Sequence, residues 1–312
     1  MLKSSSAARA CRLLGPALLF LLPAASSRAA LTGGAQLAAA YHSILSAEFN
    51  RADAEIKQAC PPAPAEACRV LEVVSLWWRI QLDPSNRTRD QVLNDRASAS
   101  IKAAEAWTKR EPRNAEAWFY LAGSYGPLVQ WQVLRGERVG AARNANRVRE
   151  ALEQALKLDP SLADAQFGIG VYQYYADVAS AAAKLLRWLL LLPGGDRVKG
   201  LRAIEDASRS GELMRDEALF QLYQIDVWYE HKPAEAIALL RALDERHSFN
   251  PLFLQRIAQT YDDYLHNVRA SAAAWQTLID RARHDRVYDA ARIAVLAEQK
   301  RRAIVARDPK LF

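Results

Sequence analysis

Five histidines, His42, His231, His247, His266 and His284, are the side chains best suited to base catalysis or metal ligation, and they are scattered along the chain. No His-x3-His or His-Glu-x2-His spacing occurs, so the sequence carries no zinc pattern. The serine in Gly123-Ser124-Tyr125-Gly126 lacks the spacing that lifts a nucleophile onto a strand-to-helix elbow. Asp262-Asp263 is a carboxylate pair, but neighbours on a helix diverge by about 100°. Nothing in the sequence selects them as an acid–base couple. Cys60 and Cys68 flank Pro61-Pro62-Ala63-Pro64, and in an oxidising compartment this pair would form a disulfide; two free thiols are the alternative. The stretch Pro193-Gly194-Gly195-Asp196, followed by Arg197 and Lys199, has the form of an anion nest ahead of a helix. A structural role fits it better: glycine stops one helix and Asp196 caps the next. The sequence thus points to no catalytic residue, no metal and no cofactor.

The N-terminus is of a different kind. Lys3, Arg9 and Arg12 precede an apolar run from Leu13 to Leu22, Pro23 breaks it, and Ser27-Arg28-Ala29 fits a small-x-small cleavage pattern. These are the three parts of a secretory signal peptide, expected over residues 1–29. The run is shorter than the roughly 20 residues that cross a bilayer. Of 42 basic residues four lie in this segment, so the remainder holds 38 against 35 acidic, a net charge of +3. That is too small a surplus to suggest nucleic acid, and the charges are interspersed as on solvated helix faces.

The whole chain is 51% hydrophobic and 25% charged, ordinary globular composition, and strand-like alternation is rare. Gly and Pro punctuate helix-forming stretches. Thirteen helices are expected, among them single helices over 32–58 and 179–192. Internal repeats are visible. Pro112 leads to Ala115-Glu116-Ala117-Trp118, Leu121-Ala122 and Tyr125; Pro160 leads to Ala163-Asp164-Ala165-Gln166, Ile169-Gly170 and Gln173 at the same offsets. Leu254, Ile257-Ala258 and Tyr261 follow Pro251. Ala104, Trp107 and Pro112, then Leu152, Ala155 and Pro160, mark the ends of second helices.

On these motifs the chain resembles the tetratricopeptide (TPR) repeat family in degenerate form, over roughly 89–283. The spacing from Tyr125 to Pro160 is 35 residues, where an unbroken unit has about 21, so about 14 are inserted near Gly136 and Gly140. Phe167-Gly168-Ile169-Gly170-x-Tyr172-x-Tyr174-Tyr175 with the Pro-Gly-Gly-Asp loop is similar to a group of exported bacterial TPR-type proteins. The resemblance implies an all-α, TPR-like α-solenoid of antiparallel hairpins wound as a right-handed superhelix. It implies a protein-binding scaffold, exported to the periplasm or secreted, with no catalysis. The organisation expected is a signal peptide (1–29), an N-terminal helical segment (30–88), the repeat domain (89–283) and a C-terminal capping helix (284–312). By the same analogy the concave face would carry Phe119, Phe167, Tyr174, Gln255, Gln259 and Asp262, and would seat a protein or peptide.

Two further readings bear on partners. Leu185 to Leu192, Leu-Leu-Arg-Trp-Leu-Leu-Leu-Leu, is expected to be buried on most faces inside the array. A partner groove or a membrane surface is the alternative, the latter shared by Lys300, Arg301 and Arg302 on the last helix. Trp77 and Trp78 diverge by about 100° on a helix, so one is core and the other could be exposed as a sugar-stacking ring; packing of both is the favoured reading.

Overall fold

The computed structural model describes residues 31–189, 191 and 193–307. The expected signal peptide lies outside the described residues. Those described form fourteen helices and no strand. In chain order they are α1 (Gly34–Leu45), α2 (Phe49–Ala59), α3 (Ala65–Leu82), α4 (Asp90–Arg110) and α5 (Ala115–Arg135). There follow α6 (Arg138–Leu158), α7 (Ala163–Val178), α8 (Ala181–Leu189), α9 (Arg197–Ser210) and α10 (Arg215–Trp228). The chain ends with α11 (Pro233–Arg246), α12 (Pro251–Asp263), α13 (Val268–Arg283) and α14 (Ala290–Arg307).

Neighbouring helices pack as consecutive hairpins: α1 on α2, α3 on α4, α5 on α6, α7 on α9, α10 on α11, α12 on α13 and α13 on α14. The fold is an all-α, solenoid-like stack. Local chemistry starts several helices cleanly. Asn114, Asp196, Asn250 and Asn267 each accept a backbone N–H from the first turn of α5, α9, α12 and α13. Pro251 occupies the first turn of α12, where its missing N–H costs nothing.

Two boundaries differ from expectation. The helix expected over 32–58 is broken between α1 and α2, where Ala47 takes a left-handed backbone (φ 59°) and Ser46 closes α1. Ser46-Ala47-Glu48 holds neither Gly nor Pro, so the break leaves no mark in the sequence. The insertion after Tyr125 is not a loop. Its residues lengthen α5 and α6, and the turn falls at Gly136, left-handed at φ 80°.

Small residues set the spacing within pairs. Gly170 of α7 faces Gly200 of α9, and a Cβ on Gly200 would lie 2.5 Å from the Tyr174 amide nitrogen. Ala122, Ala155 and Ala258 are buried at comparable positions, with Leu152, Trp107 and Ile257 filling the space around them. Trp118 is only partly buried; its Nε1 donates to the Pro112 carbonyl.

The N-terminal helices form the centre of the molecule. Trp78 of α3 is fully buried between Phe220 of α10 and Phe253 of α12, with ring centroids 5.6 and 6.1 Å away. Phe49 of α2 meets Tyr288 edge-on, and Arg292 of α14 donates to the Leu82 carbonyl. Thr32 reaches Glu116 of α5. One short segment can touch α5, α10, α12 and α14 only if those helices curve around it. The hollow of the arc is therefore filled by the chain's own residues 31–82. Trp77 and Trp78 are both buried, and Cys60 is disulfide-bonded to Cys68, closing the turn between α2 and α3.

Candidate functional site

The filling of the arc decides what its inner residues can do. Phe119 is buried, edge-on to Tyr120. Tyr174 is fully buried, and its hydroxyl donates to Glu230. Neither offers a contact surface, which corrects their placement on an open concave face. Phe167 packs half-buried against the α7, α9 and α10 core. Gln255 is half-buried on α12. Gln259 and Asp262 line a shallow recess with Asp263, Trp275, Lys300 and Arg307. There Asp262 is ion-paired to Arg307. The six residues thus fall in three separate environments and form no single groove.

The seam between the N-terminal segment and the arc is polar as well as apolar. Tyr41 Oη donates to the buried Glu217 carboxylate at 3.1 Å. Burial pushes that carboxyl up to about 7, against the opposing pull of Tyr41 and other donors. Asn250 Nδ2 donates to the Leu45 carbonyl at 2.7 Å. His247, whose side chain is fully buried, meets Ser46 Oγ through Nδ1 at 2.9 Å and Asp216 Oδ2 through Nε2 at 2.8 Å. Arg246 pairs with the other oxygen of Asp216 at 2.8 Å. Burial alone would raise Asp216, but the His247 hydrogen bond and the Arg246 charge outweigh it and hold the carboxyl below its ordinary range. The ring of His42, on α1, lies 4.6 Å from that of His247. Partial burial and the neighbouring histidine lower His42. Ser46, His247 and Asp216 resemble a nucleophile–base–carboxylate chain in composition only. Ser46 is buried, with its hydroxyl held on the His247 ring.

The opposite arrangement is found between α7 and α9. These two form one hairpin, and α8 is inserted between them, packing appreciably on no other helix among the described residues. Leu185, Trp188, Leu189 and Leu191 are 57%, 69%, 62% and 89% exposed. For these four residues the expected burial is overturned. An apolar pattern reads as core only if the fold brings a second surface to it, and α7 is already occupied by α9. Leu185, Trp188 and Leu189 stand at i, i+3 and i+4 and share one face of α8, with Lys184 beside them. Val198, at the start of α9, adds exposed apolar surface at 61%.

The residues around α8 brace its base. Tyr172 Oη donates to the Pro193 carbonyl at 3.1 Å, and the Arg197 amide donates to Asp177 at 2.9 Å. Arg197 Nε donates to Glu230 at 2.8 Å, beside the Tyr174 hydroxyl. Asp196 caps α9 through the Lys199 amide at 3.0 Å, as the structural reading of the Pro-Gly-Gly-Asp loop has it. Tyr174, Tyr175 and Tyr229 stack edge-on beneath. The conspicuous sequence motif is therefore the foundation of a projecting apolar helix.

No protein-family model matches the chain, and a search of curated proteins finds no significant match. The fold defines the class: an all-α stack of helix hairpins around a buried N-terminal segment. Within it no described helix is long and apolar enough to cross a membrane.

Proposed function

We propose that this chain is an exported, TPR-like scaffold that captures another protein and carries out no chemistry in doing so. The observation that carries the reading is α8, a braced helix that holds two leucines and a tryptophan in solvent on one face. Contiguous apolar surface of this kind on a soluble fold marks a contact site, and Trp is among the residues that dominate binding energy. The partner would receive α8 in an apolar groove, anchored at Leu185, Trp188 and Leu189. This departs from the usual use of a helical arc, because the hollow is filled. The leader-like first 29 residues and the Cys60–Cys68 disulfide support an oxidising, exported location.

A second reading has its own observation. Lys184 flanks the leucines and tryptophan, the composition of a helix that lies on an anionic lipid surface. One experiment separates the two. A photo-crosslinking residue is placed at position 188 and activated in the exported fraction. Capture of a discrete protein, lost when Leu185 and Leu189 are both changed to Asp, is expected. Absence of any protein adduct, with flotation on anionic vesicles abolished by the same two changes, would replace the scaffold reading with the membrane one.

A further inference from the structure

The seam between α1 and the arc gathers His42, Asp216 and His247 from α1, α10 and the end of α11. Each offers one ligand atom, and these atoms all lie within 4.8 Å of one another. We propose that they form a binding site for a divalent transition cation of the zinc type, which fastens the N-terminal segment to the helical arc.

The donor set suits that class. Two imidazoles and one carboxylate are borderline ligands that favour zinc and its neighbours over magnesium or calcium. Around a tetrahedral centre with bonds of about 2.0 Å, ligand atoms stand roughly 3.3 Å apart. His247 Nε2 and Asp216 Oδ2 are already 2.8 Å apart. That pair opens by about 0.5 Å to admit a cation, and His42, whose side chain is exposed, closes in from the third side.

The surroundings also hold the ligands as a metal site requires. A ligating histidine is normally oriented by a hydrogen bond through its other ring nitrogen. Without a cation Nε2–H donates to Asp216; on metal binding the proton sits on Nδ1, where Ser46 Oγ at 2.9 Å accepts the hydrogen bond, and the Nε2 lone pair is left for the cation. Asp216 divides its oxygens: Oδ1 faces Arg246, and Oδ2 faces His247. The Arg246 guanidinium reduces the carboxylate's charge, so the site is set for moderate affinity. Of the charged residues near His42, Arg51 is paired with both Glu48 and Glu55. Because the three ligands come from positions 42, 216 and 247, a bound cation ties together residues far apart in the chain.

The test uses the whole purified chain, stripped with a chelator and titrated with zinc chloride. Calorimetry should show one equivalent bound, and thermal unfolding should shift upward with zinc. His42→Ala should weaken binding about tenfold or more and remove the zinc-dependent shift, each measured against the variant's own metal-free midpoint. Ser46→Ala should weaken binding about tenfold without removing a ligand. Cobalt(II) should give a visible absorption band that His42→Ala abolishes. Zinc binding absent at micromolar concentration, or unchanged in His42→Ala, would overturn the proposal. Because the readouts are binding, a midpoint and a spectrum, they stand apart from capture of a partner by α8.

Discussion

Trp78 and Trp188 both sit in leucine-rich helices, α3 and α8, and the protein treats them in opposite ways. Trp78 is fully enclosed by Phe220 and Phe253, whereas Trp188 is 69% exposed. The apolar content of the two helices does not distinguish them. What does is the supply of a second surface. The segment 31–82 lies where the curved stack needs an interior, and it becomes that interior. α8 is inserted in a hairpin whose two members already cover each other. Leaving leucine and tryptophan in water forgoes about 25 cal/mol for each Å² that could have been buried. A helix kept in that state on a braced base is what the proposed contact role requires.

Four substitutions sharpen or break this contrast. Trp78→Ala should cost roughly 3–5 kcal/mol in chemical denaturation, since it leaves a cavity among three aromatic rings. A loss below about 1 kcal/mol would mean that α3 does not occupy the arc. Glu217→Gln tests the same seam by pH. The folded carboxyl is raised to about 7, so its contribution to stability is present below its unfolded range and is lost as pH rises through 7. Thermal midpoints from pH 5 to 8 should show the native chain losing up to about 3 kcal/mol relative to Glu217→Gln, with the curves converging at the acid end after a constant offset. Cys60→Ser should lower stability by roughly 2–3 kcal/mol, and reductant should reproduce that loss in the native chain but not in the variant. Trp188→Ala should change stability by no more than about 0.5 kcal/mol, while removing partner capture. A large destabilisation there would place α8 in the core after all.

Much of the architecture is legible in the residues. The Pro-led repeats mark α5, α7 and α12, the small residues at Ala122, Gly170 and Ala258 are buried, and Asp196 is a cap. What escapes the sequence is long-range. The contacts that fill the arc join residues such as Tyr41 and Glu217, or Leu45 and Asn250, and no local period encodes them. The same holds for His42 and His247, which look unrelated until α1 docks. The exposure of α8 is hidden for the opposite reason: its local pattern is that of a core helix, and only its insertion between packed partners reveals the difference. The break at Ala47 is silent because an alanine adopts the left-handed turn there. Fold class is written in local periodicity, whereas the candidate contact surfaces depend on which helices are already occupied.

Hydrogen–deuterium exchange on the intact chain tests the central claim most directly. The account predicts that amides of α1 and α3 are protected as strongly as those of α10 and α12, and that α8 exchanges among the fastest helices. Rapid exchange across α1 and α3, or strong protection of α8 in the absence of any partner, would contradict it.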